Sequence, residues 1–197
     1  MNSFALYDII ILTNFRIIKE KNERTDIMFM IETERLTITE FTPDMAQAVH
    51  ENSLDEDNRR FVPDEVFETV EEAAETIEFL ISQYGSNDGP LIYPVLLKDS
   101  TNIGYVQAVP LDDGVWEIGF HIGILYTKKG YATEAVKAFL PVIMKRLGIG
   151  TISGICLSEN IASRKVMEKS GFVLDFEGEG DYQGEKKNIC KYHFTLG

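Results

Sequence analysis

Residues 126–134 of this sequence, Tyr-Thr-Lys-Lys-Gly-Tyr-Ala-Thr-Glu, join three properties that an anion site needs. Gly130 lets the backbone come close to a ligand. Lys128 and Lys129 bring two positive charges into a chain whose formal net charge is −13. The apolar stripe that begins at Ala132 predicts a helix, so the loop sits at a helix mouth, where the first amides lack partners and the dipole adds positive potential. Ala132 and Thr133 keep that mouth uncrowded. The chemistry this fits is the binding of a phosphate or diphosphate. By residue type alone, a lysine pair before a glycine fits an exposed turn as well. Two nucleotide loops are excluded, because neither Gly-x-x-x-x-Gly-Lys-Ser/Thr nor Gly-x-Gly-x-x-Gly after a strand occurs.

A second group lies just upstream. Glu117, Gly119, His121 and Gly123 alternate with Trp116, Ile118, Phe120 and Ile122, so a strand here puts Glu117 and His121 on one face, where both can reach one cleft. Glu117 reads equally as a base and as a structural carboxylate, and His121 as a packing residue ahead of a base. Tyr126 and Tyr131 read as packing residues, with donation to a cofactor by either as the alternative. The cysteines, Cys156 and Cys190, are isolated and read as buried thiols, and His50, His121 and His193 have no metal-ligand spacing. No metal site is expected.

These groups need a scaffold. Ile31 to Phe41 reads as a first strand, and Thr42–Pro43–Asp44 opens a helix. Ser53 to Phe67 is polar and acidic, suited to a short helix and loop. Thr69-x-x-Glu72 is a capping box ahead of an apolar stripe through Ala73, Ile77, Leu80 and Tyr84. Leu91–Leu97, Asn102–Leu111 and Val115–Ile124 read as a meander that turns at Asp99–Asn102 and Asp112–Gly114. A helix from Ala132 to Leu147 follows the lysine loop, capped by Gly148 and expected to kink or split at Pro141. Thr151–Leu157 is a strand. Asn160 caps a helix that runs to Ser170 and closes at Gly171. Phe172–Glu177 and Asn188–Leu196 form a final hairpin around Gly178–Gly184. The order describes a mixed α+β sheet with helices on both faces. Residues 1–27 lack a clean period and end in the charged run Lys19–Arg24, so they read as an extension, non-native or disordered, ahead of one domain at 28–197.

The 197 residues suit a single domain, and no stretch approaches the roughly 20 apolar residues that span a bilayer. The run Ile9–Leu12 is too short, and no signal peptide is recognised, so the expected location is cytoplasmic. The acidic balance argues against nucleic acid, whose binding needs clustered Lys and Arg, and favours cationic partners such as amines, though it serves solubility equally well.

The residues also carry a resemblance. Glu117–Gly123 followed by Lys129–Gly130–Tyr131–Ala132–Thr133–Glu134–Ala135, and then Asn160-x-x-Ser163 with Val166–Met167–Glu168–Lys169–Ser170–Gly171–Phe172, resemble the two signatures of the GNAT N-acetyltransferase superfamily. Ile31–Glu32–Thr33–Glu34–Arg35–Leu36 is similar to the opening of its RimJ/RimL-type branch. The resemblance spans about Met30 to the C-terminus. It implies a central, mostly antiparallel sheet, splayed in the middle, and acetyl transfer from acetyl-CoA to a primary amine, either a protein N-terminus or a small amine, by direct attack. It implies that Ile122 offers backbone hydrogen bonds to the pantetheine arm, that amides of Lys128, Lys129, Gly130, Tyr131, Ala132 and Thr133 hold the diphosphate, and that Asn160 and Ser163 lie near the arm and its sulfur. Glu117 becomes the candidate base. Two departures stand out. Thr127 and Lys128 replace the usual Gln or Arg and Gly, and Met167 occupies the position of a proton-donating Tyr, which leaves Ser163 as the candidate acid. A non-catalytic acyl-CoA sensor on the same fold is the alternative, and an interaction module without a ligand is a third. A monomer or homodimer is expected.

Overall fold

In the computed structural model, which describes residues 8–12, 15–19, 29–111 and 114–197, apolar alternation builds one ten-stranded sheet. Its strands are β1 (Asp8–Leu12), β2 (Phe15–Lys19), β3 (Met30–Glu32), β4 (Leu36–Thr39), β5 (Leu91–Leu97), β6 (Asn102–Pro110), β7 (Trp116–Ile122), β8 (Thr151–Leu157), β9 (Val173–Tyr182) and β10 (Glu185–Thr195). They run in chain order except at the end, where β10 lies between β8 and β9. Every pairing is antiparallel but one. β7 and β8 are parallel and share the single register pair Glu117–Ser153.

Five α-helices cover the sheet: α1 (Ala46–Ser53), α2 (Glu56–Phe61), α3 (Val70–Gln83), α4 (Tyr131–Leu147) and α5 (Ile161–Lys169). On one face, α4 and α5 bury Phe139, Ile143 and Met167 against Tyr93, Val106 and Ile118. On the other, α1 and α3 pack Ala46, Ala73, Ile77 and Leu80 around Phe41. The capping box forms as expected, with the Thr69 hydroxyl accepting from the Glu72 amide and the Glu72 carboxylate from the Thr69 amide. Gly148 closes α4 with φ of 67°.

The structure departs from expectation at several points. The stretch Ile31–Phe41 is not one strand but the hairpin β3–β4, turned at residues 33–35 and pinned where the Thr33 hydroxyl accepts from the Leu36 amide at 2.9 Å. Thr42 starts a 3-10 turn (Pro43–Met45) before α1, and its hydroxyl makes no cap. Pro141 does not split α4. Ala138, Phe139, Leu140, Ile143 and Met144 around it are all buried, so packing holds the helix together, and Lys137, whose carbonyl loses its donor, is exposed to water. The last hairpin turns at Gln183–Gly184, both with positive φ, and β9 runs straight through Gly178 and Gly180. A Cβ on Gly180 would lie 2.4 Å from Ile189 Cδ1, so that glycine makes room for a neighbouring side chain rather than a turn. β1 and β2 fall within the stretch read as an extension, and β2 pairs with β3 through Arg16–Glu32 and Ile17–Ile31. The other residues of 1–27, the charged run beyond Lys19 among them, lie outside the described residues, as do Asp112 and Asp113.

Gly104 shows how tightly β6 and β7 are fitted. Its φ is 147°, and a Cβ there would sit 2.1 Å from the His121 carbonyl oxygen. Gly104→Ala is expected to lower the unfolding free energy by at least ~2 kcal/mol in urea denaturation, whereas Gly150→Ala, with open space around it, stays within ~0.5 kcal/mol of the parent.

Candidate active site

The site begins with a gap in the sheet. β7 is paired along its length with β6, from Pro110–Trp116 to Gly104–Ile122. β8 is paired along its length with β10, from Thr151–Thr195 to Leu157–Ile189. Between β7 and β8 there is only the pair near their starts, so their C-terminal halves part. The Gly123 amide donates to the Ile103 carbonyl at 2.9 Å, on the β6 side. Because backbone groups alternate along a strand, the N–H and C=O of Ile122 face the other way, into the gap. Trp116, on the same alternation, meets the Ser153 hydroxyl across it at 3.1 Å.

The lysine loop lies beyond the end of β7. Lys128 and Gly130 both have left-handed backbone, with φ of 61° and 84°. Gly130 is the N-cap of α4 and gives no side-chain cap, and the first intrahelical bond there runs from the Glu134 amide to the Gly130 carbonyl at 3.1 Å. The amides of Tyr131, Ala132 and Thr133 thus point out of the helix mouth without partners. The two lysines are not equivalent. Lys129 Nζ turns back to the Leu125 carbonyl at 3.1 Å and over the Tyr126 ring, while the ammonium of Lys128 is exposed and tied to no partner among the described residues. The loop is braced from behind by Arg35, which donates to the Lys129 carbonyl and to Glu134.

The opposite face of β7 carries the titratable groups. Glu117 is largely buried, and burial pushes its carboxyl up to about 7, with Lys191 only partly offsetting this. His121 Nε2 lies 3.8 Å from Asp55, whose carboxyl His121 holds below its usual range. Gln107 folds over Gly119 and donates to Glu65 Oε1 at 3.2 Å, and burial raises the Glu65 carboxyl. The Tyr182 hydroxyl, itself pushed up to about 12 by burial, donates to the Phe61 carbonyl at 3.1 Å. Residues 55–65 therefore close over Glu117 and His121. Beside them a cavity of about 550 Å³ opens between α1 and the turn after β7, with Asp44, Glu51 and Asp55 on one wall and Ile124, Leu125 and Tyr126 on the other. Among the described residues its walls carry acids but no Lys or Arg.

The family model described as "Acetyltransferase (GNAT) domain" matches residues 35–173. The uncharacterized N-acetyltransferase YnaD of Bacillus subtilis (strain 168) is 35% identical over 143 residues, which is 72% of this chain and 81% of that protein. The chain belongs to the GNAT acetyltransferase family. It is accordingly an acyltransferase. A GNAT-family acetyltransferase structure from Bacillus anthracis superposes with a TM-score of 0.70 at 28% identity, covering 84% of this chain and 98% of that one. RimL, a ribosomal L7/L12 alpha-N-protein acetyltransferase in complex with coenzyme A, superposes with a TM-score of 0.71 at 16% identity, covering 83% and 96%, and so shares the fold.

Within this GNAT domain α5 starts at the open end of β8, as α4 starts at the open end of β7. Asn160 spends its side-chain oxygen as the N-cap, accepting from the Ser163 amide at 3.0 Å. The Ser163 hydroxyl, half-buried, makes no hydrogen bond among the described residues. Met167 points inward from the same helix and fills the space over Gly154 beside Ile118, with 2% exposure. It serves as core and offers no proton. Cys156 and Cys190 face each other across β8 and β10 as buried thiols, Cys156 pushed up to about 12 by burial. Among the described residues no group of His, Cys, Asp and Glu is arranged to hold a metal, and no helix is long and apolar enough to cross a membrane. Arg35, Asp55, Glu65 and Tyr182 were not marked by sequence as site residues. Only Arg35 carried a signal, since Glu134, an acid in the first turn of α4, is suited to pairing with a cation.

Burial of Glu117 makes a stability prediction. Its raised folded-state pKa disfavours ionisation, so the penalty is absent below the usual carboxylate range, grows as pH rises, and is complete above about 7. Glu117→Gln is expected to leave stability near its parent value at pH 4 and to raise it by up to ~3 kcal/mol at pH 8. Denaturant titrations at the two pH values measure this, and an equal effect at both would contradict the assignment of burial as the cause.

Proposed function

We propose that this GNAT acyltransferase moves the acetyl group of acetyl-CoA to a primary amine by direct attack, with Glu117 as base and Ser163 as acid. The observation that carries the reading is the gap between β7 and β8, with the Ile122 backbone on its edge and two helix mouths at its open end. A thioester arm needs backbone partners and a diphosphate needs free amides, and both are on this one edge. RimL, which shares the fold, holds coenzyme A. In this reading the diphosphate rests on amides of Lys128 to Thr133, the pantetheine arm runs along Ile122 towards Asn160, and the thioester lies near Ser163.

The chemistry follows from charge and protons. An ammonium ion cannot attack a carbonyl carbon, so its proton passes to Glu117, whose pKa near 7 suits a base at neutral pH. The amine nitrogen bonds to the thioester carbon, the Ile122 amide donates to the oxyanion, and the C–S bond breaks. The leaving thiolate takes the hydroxyl proton of Ser163, and the second proton of the amine nitrogen, released as the amide forms, restores that hydroxyl. The acceptor approaches from the face where Asp44, Glu51 and Asp55 line the cavity, which suits a cation. A protein N-terminus and a small amine both meet that description. The sensor reading rests on Met167, which is buried at the position where the family resemblance expects a proton-donating Tyr, and it predicts coenzyme binding without turnover.

The test mixes the protein with acetyl-CoA and a panel of amines, peptides with free N-termini included, and follows thiol release. Release with at least one amine is expected, its rate rising with pH to a plateau above about 7. Glu117→Gln should reduce kcat/KM by about 100-fold and remove that rise, and Ser163→Ala by about 10-fold or more. Coenzyme binding with no release for any amine would favour the sensor.

A further inference from the structure

The loop that faces the helix mouth of α4 is held from outside by one side chain. Arg35, at the β3–β4 turn, donates from Nη1 to the Lys129 carbonyl at 3.0 Å and from Nε to Glu134 Oε2 at 2.6 Å, and its Nη2 pairs with the same oxygen. Its own backbone amide reaches Glu134 Oε1 at 3.2 Å, where the Thr33 hydroxyl also donates at 2.6 Å. The guanidinium lies over the Tyr131 ring, 4.6 Å from its centre. Both Glu134 oxygens and all three guanidinium nitrogens are thereby engaged.

We infer that Arg35, oriented by Glu134, is a positioning residue that aims the Gly130 amide at the diphosphate. The inference rests on the acetyl-CoA reading above. Its physical basis is the planar trans peptide, in which the carbonyl of one residue and the N–H of the next point in opposite directions. Pinning the Lys129 carbonyl outward to Arg35 turns the Gly130 N–H inward, towards the groove. Nothing in the loop itself fixes this choice. Gly130 accepts either hand of backbone at little cost, so the peptide between Lys129 and Gly130 is free to flip once its carbonyl is released. The flipped peptide would present an oxygen to the anion in place of a donor.

Glu134 explains why the brace takes this form. A carboxylate in the first turn of α4 complements the dipole, and for that reason it competes with a diphosphate for the same positive end. Here it is turned away from the mouth and neutralised by Arg35, so the mouth stays open to an incoming anion. Burial works against its ionisation, but the hydrogen bonds from Thr33 and Arg35 prevail and hold the carboxyl below its usual range. A lysine at position 35 would keep the charge but could not span Glu134 and the Lys129 carbonyl together.

The experiment uses the full chain, coenzyme A as the probe, calorimetry for affinity and the amide resonance of Gly130 in nitrogen–proton correlation spectra. In the parent protein the Gly130 amide proton is expected to move downfield on adding coenzyme A. In Arg35→Gln the dissociation constant should rise about 10-fold or more, and at saturating coenzyme A the downfield movement should be lost. Arg35→Lys should resemble Arg35→Gln. Glu134→Gln should weaken binding in the same direction by a smaller factor, and the double variant should be no worse than Arg35→Gln alone. A purely structural brace would lower the melting temperature and leave the saturated Gly130 shift in place. That outcome, or affinity within about 2-fold of the parent for Arg35→Gln and Glu134→Gln alike, overturns the inference. If the parent itself gives neither heat nor shift with coenzyme A, the acetyl-CoA reading falls first and this inference with it.

Discussion

Everything at this site depends on β7 and β8 parting after one register pair. A sheet normally spends its backbone donors and acceptors on its own strands, and an interior strand with an unused edge is costly. Here the gap is stable because each strand is held by its outer neighbour. β7 is paired with β6 over its whole length, and β8 with β10 over its whole length. The two halves of the sheet are thus each held by a ladder of their own, and they part beyond the Trp116–Ser153 end, where the strands still meet. Helices α4 and α5 both begin at the wide end, so two dipole ends point at the same opening, with the uncapped amides supplied by α4 and those of α5 largely spent on Asn160 and Glu159.

The alternation of a β-strand then separates the tasks. One residue of β7 turns its backbone to the gap, and the next turns its side chain to the face under residues 55–65. That cover is fastened at four places on four elements. Asp55 faces His121 on β7, Arg60 pairs with Glu159 beyond β8, the Phe61 carbonyl accepts from Tyr182 on β9, and Glu65 accepts from Gln107 on β6. Excluding water from Glu117 is what raises its pKa. With Glu117 as the proposed base, the burial that would fit it to take a proton near neutral pH also makes its charged form a burden on the fold, so reactivity and stability would pull against each other at this carboxylate.

How legible this was in the sequence depended on the range of the controlling contact. The capping box Thr69–Glu72 and the cap at Gly148 are set by residues within four positions, and both are where the pattern put them. The β3–β4 turn was not legible. Thr33–Glu34–Arg35 holds no Gly, Pro or Asn, and what clamps the turn is Glu134, 99 residues from Arg35. Gly178 and Gly180 misled in the other direction. They look like turn residues and instead leave room for Phe176 and Ile189. Pro141 was overruled by the packing of the buried face of α4. At the site, the loop and the strand faces were visible because they are local patterns. The closure over Glu117 was not, because Asp55, Glu65 and Tyr182 come from elements whose adjacency only the folded chain creates.

Lys128 brings these constraints together. The position adopts left-handed backbone, which costs a non-glycine residue on the order of 1 kcal/mol or more, and a glycine there would avoid that cost. An acidic chain has a reason to accept it. With a formal net charge of −13, the protein's long-range field opposes the approach of any polyphosphate. Screening confines that field to roughly 8 Å at physiological salt, so what decides capture is the charge nearest the mouth. Lys129 is occupied with the Leu125 carbonyl and Arg35 with Glu134. Among the described residues of the loop, Lys128 alone keeps an ammonium exposed and untied at the mouth. In the acetyl-CoA reading, backbone strain at this one residue is thus set against a local reversal of charge in the place where the diphosphate would arrive.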